Sequence, residues 1–285
     1  SQIISRNLMK IIENNLNLDE FLKEIREKGK KIGLIPTMGS IHEGHLSLVQ
    51  NCQKLGYFSL VTIFINPTQF NEANDFKNYP RDNINDKRYL ENINTDLLFF
   101  PQTKELYPDG VKSQKTIFEY RNILCDIYRP GHFDGVTTVI DSLINLIKPH
   151  HIFFGEKDFQ QLKIIQKMFY NNNSSIVIHS CPSIRMLNGM SYSSRYKKFT
   201  ICEEKIFNDV ANLLMKFVDN IKKNFNIEFL ENLQHKLKKK GLNKIDYIEI
   251  KNEINLLPAT KKNHSRLFIA FYIGKIRIID NFILY

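Results

Sequence analysis

The chain has no tryptophan, only four cysteines in 285 residues, and no apolar run near the roughly 20 residues that a membrane-spanning helix requires. The last absence argues against a membrane span. The cysteines, Cys52, Cys125, Cys181 and Cys202, are scattered and form no C-x-x-C pair. They read as reduced, mostly structural thiols in a cytoplasmic protein. Ser1 to Asn15 mixes charged and apolar residues and has no apolar leader core. There is no Gly/Ser-rich linker, internal repeat or heptad run, so a coiled coil or repeat array is not expected.

What is present is an ordinary globular composition, 42% hydrophobic and 25% charged, with a net charge of +10. A basic excess can mark a nucleic-acid partner, which would gather its cations on one face. Here the lysines are spread along a chain rich in Asn, Lys and Ile. The excess reads first as compositional bias, second as a site for anionic substrates, and nucleic acid is not expected. The one dense run, Lys236 to Lys240, falls on a predicted helix and reads as its solvated face.

Up to about Cys181, strand-like and helix-like segments alternate. Lys31–Pro36 and Phe58–Ile65 are unbroken apolar stretches, as buried parallel strands are. Asp96–Pro101, Ile152–Phe154 and Ile176–Ile178 read as further strands, and Gly44–Leu55, Val136–Ile147 and Gln160–Tyr170 as helices. This alternation predicts an α/β fold, a parallel sheet with helices on both faces. Beyond about Arg195 two helices (Glu203–Lys223 and Phe229–Lys240) precede strands at Lys244–Ile250, Arg266–Ile273 and Lys275–Ile279, the grouping of a smaller α+β domain. The expected division is residues 1–182 and 183–285.

The most informative segment is Ile35-Pro36-Thr37-Met38-Gly39-Ser40-Ile41-His42-Glu43-Gly44-His45-Leu46. A buried strand ends at a Pro/Gly turn and a helix begins near His45. Helix N-termini expose free N–H groups and about half a positive charge, so they attract phosphate. Gly44 permits close backbone approach. Two imidazoles at such a point suggest a nucleotide site. The alternatives are a structural pair or part of a zinc site, but the spacing of three with an intervening Gly differs from the H-E-x-x-H helix of zinc proteases.

Further candidates also follow strands. Asn66-Pro67-Thr68-Gln69-Phe70 offers two carboxamides, each with a donor and an acceptor, suited to hydroxyls or a carboxylate of a small substrate. It could equally be a turn. In Phe154-Gly155-Glu156-Lys157-Asp158-Phe159-Gln160-Gln161, Lys157 is a compact cation suited to a polyphosphate. Asp158 could cap the next helix, orient Lys157 or approach a Mg²⁺–phosphate group. Gln161 should lie near Gln69 if the sheet order brings the two loops together. Tyr192-Ser193-Ser194-Arg195, after the turn signal Asn188-Gly189, could clamp a phosphate. Arg129-Pro130-Gly131-His132 could supply Arg129 and His132 to a site or be a plain connection.

Taken together, these segments resemble the pantothenate synthetase (pantoate–β-alanine ligase) family of the nucleotidyltransferase superfamily. Five motifs occur in order: P-T-M-G-x-x-H-x-G-H at Pro36–His45, N-P-x-Q-F at Asn66–Phe70, R-P-G-H-F at Arg129–Phe133, F-G-E-K-D-x-Q-Q at Phe154–Gln161, and S-S-R at Ser193–Arg195. Asn74–Arg81, Asp246–Glu249 and Gly274–Asn281 also look like the family's pattern, so the resemblance spans nearly the whole chain. The chain departs from it at Tyr192, commonly Met or Leu, at Tyr196, commonly Asn, and at Asn188-Gly189, commonly Asp-Gly.

The resemblance implies a Rossmann-like domain with a small C-terminal α+β lid, in a cytoplasmic homodimer. It implies an ATP-dependent ligase joining (R)-pantoate to β-alanine through pantoyl adenylate, with release of pyrophosphate and then AMP, and with Mg²⁺ accompanying the ATP phosphates. Carried over by motif, Met38, Gly39, Ser40, Ile41, His42, Glu43, Gly44 and His45 would form one side of the ATP site, with His45 as proton donor. Gly155, Glu156, Lys157 and Asp158, Ile184, and Tyr192, Ser193, Ser194 and Arg195 would complete it. Gln69 and Gln161 would bind pantoate, and Gln69 also β-alanine. His45, His42, Lys157 and Arg195 would be the catalytic set. The rival reading is a nucleotidyltransferase that passes AMP or CMP to a phosphate acceptor, but neutral Gln69 and Gln161 suit an uncharged polyol better than a phosphate.

Overall fold

The computed structural model describes residues 8–285, so the reading of Ser1–Asn15 lies partly outside the described residues. The chain divides into two compact units: residues up to Glu119 with Arg129–Glu156 and Gln161–Pro182, and Tyr120–Tyr128 with Lys157–Gln160 and Ser183–Tyr285.

In the first unit the order is β1 (Lys10–Ile12), α1 (Asn15–Glu27), β2 (Ile32–Thr37), α2 (Glu43–Lys54), β3 (Phe58–Ile63), α3 (Ala73–Lys77), α4 (Asn83–Asn92), β4 (Leu97–Phe99) and α5 (Thr103–Leu106). The short helix α6 (Cys125–Tyr128) falls in the second unit. The first unit resumes with α7 (His132–Ile147), β5 (His151–Gly155), most of α8 (Phe159–Asn171) and β6 (Val177–Cys181). Six parallel strands form one Rossmann-like sheet in the order β1-β4-β3-β2-β5-β6. Every residue of β3 is buried, as is every residue of β2 except Pro36. That double coverage is why these strands read as continuous apolar runs. Ile35, Val61, Leu98 and Phe153 of the sheet meet Val49 and Cys52 of α2 in one buried cluster.

The chain moves outward from β2 to β3 and β4, then returns to place β5 on the other side of β2. The sheet therefore reverses direction between β2 and β5. In open α/β sheets ligands bind outside the carboxyl ends of the strands at this reversal. The segments that follow β2 and β5 are the two motifs richest in candidate residues.

Several elements differ from the expectations, the short helices α3 to α6 among them. Strand β1 and helix α1 were not expected, although Asn14 caps α1 by accepting from Asn17 N at 3.0 Å and Leu18, Leu22 and Ile25 recur at helical spacing as its buried stripe. Helix α7 starts at His132 rather than Val136, behind Gly131 in the left-handed conformation. Residues His132 to Gly135 look like a turn in sequence but form the first turn of this helix.

A histidine pair bridges β5 and β6. His151 Nδ1 lies 3.0 Å from His179 Nε2. Tyr57 stacks on His151 at 3.9 Å and Phe153 on His179 at 4.4 Å. Burial holds both rings below the usual imidazole value, and at His151 the neighbouring His179, Lys31 and His150 add to it. The unfolded chain takes up protons as pH falls through about 6.5, where the folded pair resists them. The stabilisation is thus complete above that value and is lost progressively below it, by up to about 1.4 kcal/mol per pH unit for each histidine. The urea midpoint is expected to fall between pH 7.5 and 5.5, above the carboxylate range. In His179→Phe that fall should be smaller, and an unchanged fall would clear the pair of any part in it.

The second unit contains α9 (Ile201–Lys223), α10 (Phe229–Lys239) and an antiparallel sheet of β7 (Lys244–Asn252), β8 (Ser265–Ile273) and β9 (Ile276–Ile283), in the order β7-β8-β9. Thr200 and Glu203 form a capping box that starts α9. Phe207, Val210, Leu214 and Ile221 of α9 and Leu233 and Leu237 of α10 bury against Leu267, Ile269 and Phe271 of β8. On α10, Lys236, Lys238 and Lys239 are exposed beside buried Leu237, with Lys240 exposed just beyond. Strand β9 runs four residues past the expected end at Ile279. Asp280 and Asn281 are residue types common in turns, yet both are buried inside the strand.

Candidate active site

Residues Thr37 to His45 form a rigid turn at the end of β2. Thr37 Oγ1 donates to Thr62 O at 2.8 Å and accepts from Gly39 N at 3.1 Å. Gly39 and Ser40 both have positive φ, 78° and 51°. A Cβ at Gly39 would also lie 3.1 Å from Asp86 Oδ2 and from Ile63 Cγ2, so glycine is required there. Ser40 is not a glycine and needs support in the left-handed region. Asp86, buried on α4, supplies it by accepting from Ser40 N at 2.8 Å and Ile41 N at 2.7 Å.

The turn delivers His42 to the N-cap of α2. His42 Nδ1 accepts from Gly44 N at 3.1 Å, His45 Nδ1 accepts from His42 N at 3.4 Å, and the rings stack with centroids 4.0 Å apart. The two form a reciprocal capping box. The structural alternative for this pair is therefore real: both histidines cap a helix. Capping alone does not explain their identity, since Ser, Thr, Asp or Asn caps best and Glu or Gln is usual three residues later. With Nδ1 accepting a backbone proton, a neutral ring carries its own proton on Nε2 and donates from there. The geometry makes two N–H donors beside a helix N-terminus, a combination suited to phosphate oxygens.

Gln69 ends a 3-10 turn, Pro67–Gln69, after β3. Its Oε1 accepts from Asn66 Nδ2 at 3.0 Å. Its backbone carbonyl accepts from His132 Nδ1 at 2.7 Å and from Arg129 at 3.4 Å, and Arg129 Nη1 lies 3.1 Å from His132 Nε2. Arg129 and His132 thus hold the backbone of Gln69. A Cβ on Gly135 would come within 2.4 Å of Thr68 O and 2.7 Å of Gln69 N, so this glycine lets α7 seat directly against the turn. Gln69 follows β3 and Gln161 lies on α8 after β5. These strands flank β2, two strand spacings or roughly 10 Å apart. The carboxyl end of β2, with the histidine turn, lies between the two loops.

Cys181, at the end of β6, is not a nucleophile. Burial and the Glu156 carboxylate push its thiol up to about 11. Among the described residues, no three His, Cys, Asp or Glu side chains are grouped to hold a metal.

In the second unit, Asp280 and Asn281 of β9 fix the remaining candidates. Arg185 Nη1 donates to Asp280 Oδ2 at 3.2 Å and Arg185 Nη2 to Asn281 O at 2.7 Å. Ser191 N donates to Asp280 Oδ2 at 2.8 Å. The segment from Ile184 to Tyr192 closes as a hairpin, with Tyr192 N donating to Ile184 O at 3.2 Å and Met186 N to Met190 O at 2.8 Å. Ser193 Oγ then caps the 3-10 turn Ser194–Lys198, accepting from Arg195 N at 3.3 Å. Asn281 Nδ2 donates to Lys157 O at 2.9 Å. One strand therefore anchors the Lys157 backbone and the hairpin leading to Arg195. Tyr196 stacks on Phe199 and meets Phe207 at a tilt, with centroids 5.5 and 4.6 Å away, which accounts for an aromatic at this position.

The neighbouring glutamines have different tasks. Gln160 Oε1 accepts from Cys125 N at 2.9 Å, and its Nε2 donates to the carbonyls of Tyr120 and Ile123, each at 2.9 Å. It clamps the 120–125 segment and is saturated. Sequence reasoning missed Asp86, which holds the histidine turn, and, in the second unit, Arg185, Asp280 and Asn281, which hold the Lys157 backbone and the 184–192 hairpin. The signal for the last two was consecutive polar residues within an apolar strand.

The pantoate-beta-alanine ligase family model matches residues 10–283. A pantothenate synthetase of Sulfurihydrogenibium sp. (strain YO3AOP1) is 38% identical over 279 residues, covering 96% of this chain and 99% of that one. That of Thermotoga neapolitana is 38% identical over 280 residues, covering 97% and 100%. Among solved structures, the pantoate-beta-alanine ligase from Francisella tularensis, complexed with beta-gamma ATP and beta-alanine, superposes with a TM-score of 0.84 at 35% identity over 97% of this chain and 98% of that chain. Pantothenate synthetase from Thermus thermophilus gives 0.89 at 29% identity, covering 97% and 100%. With the sheet reversal, the histidine-capped turn and these likenesses in agreement, the chain belongs to the pantoate–β-alanine ligase family.

Proposed function

We propose that this protein condenses (R)-pantoate with β-alanine at the expense of ATP, through a pantoyl-adenylate intermediate, releasing pyrophosphate in the first half-reaction and AMP in the second. The observation that carries the reading is the His42/His45 capping box, where weaker capping residues stand and Nε2–H donors result. Full-length likeness to pantothenate synthetases, one of them bound to a nucleotide and β-alanine, supports the substrates.

Attack of the pantoate carboxylate on the α-phosphorus joins two anions, so positive charge and N–H donors must line the triphosphate. We assign that role to His42, His45 and the backbone of Met38 to His45, with Gly155 and Glu156, and to Lys157, Asp158, Ile184 and Tyr192 to Arg195. His45 donates to the charge developing as pyrophosphate leaves, while Lys157 and Arg195 neutralise phosphate oxygens. Gln69 and Gln161 hold pantoate by its hydroxyl and carboxyl oxygens without neutralising the carboxylate that must react, and Gln69 also contacts β-alanine. Positioning and charge stabilisation supply the rate. Mg²⁺ enters as part of the substrate MgATP.

Residues 183–285 are proposed as a lid and the protein as a cytoplasmic homodimer. Four free cysteines, three of them buried, suit a reducing compartment. Among the described residues no helix is long and apolar enough to cross a membrane.

Incubation with MgATP, (R)-pantoate and β-alanine is expected to give AMP and pyrophosphate in equal amounts. Without β-alanine, pantoate should still drive exchange of labelled pyrophosphate into ATP. ADP as the product, or exchange independent of pantoate, would overturn the assignment.

A further inference from the structure

Tyr107, just beyond α5, is buried and belongs to no motif used above. Its hydroxyl bonds to Asn66 Oδ1 and lies 2.9 Å from Thr68 Oγ1, which itself donates to Asn66 Oδ1 at 3.0 Å. Asn66 Nδ2 has two partners, Gly135 O at 3.1 Å and Gln69 Oε1 at 3.0 Å. The polarity of this network can be deduced atom by atom. A backbone carbonyl only accepts, so the Asn66 atom facing Gly135 O must be the nitrogen. The other end of the Asn66 amide is then the oxygen, which receives the two hydroxyls. Since Asn66 donates to Gln69, the Gln69 atom it meets must be Oε1. The end of Gln69 left for a ligand is Nε2, which only donates. Burial raises the Tyr107 phenol, so it keeps the proton the network needs.

We propose that Tyr107 is a positioning residue that, through Asn66, locks the Gln69 carboxamide with Nε2 toward the substrates, so that Gln69 recognises oxygen acceptors and would meet β-alanine at its carboxylate rather than its amine. The proposal rests on the assignment of Gln69 as a substrate residue. Without the hydroxyl, Asn66 keeps only Thr68 on its oxygen, its amide is held less firmly against Gly135 O and Gln69, and the Gln69 amide is released to turn and present Oε1. A turned amide sets an acceptor against the substrate's own acceptors, while nucleotide binding is untouched.

The test is a double-mutant cycle. Tyr107→Phe should raise the KM for pantoate and for β-alanine about tenfold, leave the KM for ATP within twofold, and lower kcat less than either KM rises. In the Gln69→Ala background, Tyr107→Phe should add less than a twofold effect. Thr68→Val, which removes the second hydroxyl on Asn66 Oδ1, should shift the same two KM values in the same direction while Thr68→Ser restores them, and this arm stands in should Tyr107→Phe not fold. Full additivity with Gln69→Ala, or an equal rise in the KM for ATP, would overturn the positioning role. If Gln69→Ala itself left both KM values unchanged, the assignment of Gln69 would fail instead, and with it the proposal's premise.

Discussion

His45→Ala is expected to lower kcat by on the order of 10² to 10³ while the protein stays folded, the effect of removing one donor aimed at developing charge. Two roles of the side chain must be separated to interpret that number. As a cap, His45 accepts from His42 N at 3.4 Å, a long bond at the end of a helix that keeps its other cap through His42 and Gly44. Losing such a cap destabilises a helix by about 1 kcal/mol. A loss of 10² to 10³ in rate corresponds to about 2.7–4 kcal/mol of transition-state stabilisation. The catalytic effect therefore exceeds what the cap can supply. His45→Gln restores the usual capping-box residue and should recover the thermal midpoint, yet recover only part of the rate, since its amide must reach the phosphate from a different angle. The deficit should appear in pantoate-dependent pyrophosphate exchange, because the donor acts on adenylate formation. A His45→Ala enzyme within threefold of the unmodified rate would reduce His45 to a structural cap.

Most elements that sequence reading located have burial on both faces or a clean helical stripe; β6, mostly unburied, is an exception. Strands β2 and β3 are continuous apolar runs because helices cover both sides of the sheet. Helices α2 and α9 announce themselves by apolar spacing. Apart from α1, whose cap and apolar stripe are local signals that went unread, what was not legible depends on pairings between residues distant in sequence. Helix α4 buries only Asp86 and Leu90 among its ten residues, so no stripe marks it. Nothing in its local sequence says that Asp86 holds a turn 45 residues earlier. Asp280-Asn281 has a turn's composition, and only the partners Arg185, Ser191 and Lys157 explain two polar residues inside β9. The candidate ligand-facing residues stand out in sequence as candidates because their types suit the chemistry proposed for them. The residues that hold them in place do not, because their partners are distant in sequence. Gln160 and Gln161 make the point within a dipeptide: the sequence presents two equivalent amides, and the fold uses one as a saturated clamp.

Asp86 is where such a support should have its largest effect. Its carboxylate accepts both Ser40 N and Ile41 N, holding a serine at φ 51° between a glycine that must be glycine and the histidine cap. Asp86→Ala leaves two buried N–H groups unanswered, at about 1–3 kcal/mol each. It also releases a backbone conformation that disfavours a side chain. That sum is a large fraction of a domain's stability, so a marked fall in the thermal midpoint is expected. Asp86→Asn is the more informative change. Its single amide oxygen can serve one of the two N–H groups while its NH₂ faces the other, donor against donor. The turn should then lose its fixed path from Thr37 to His42 while the rest of the sheet is retained. The expected signature is a KM for ATP raised tenfold or more, with the KM for β-alanine within twofold, since Gln69 is held by a separate network. Asp86→Glu should not restore the turn, because one more methylene carries both carboxylate oxygens away from the positions that meet Ser40 N and Ile41 N. Equal KM values for ATP in Asp86→Asn and the unmodified enzyme would show that the turn keeps its shape without the carboxylate, and that the histidines are placed by the helix cap alone.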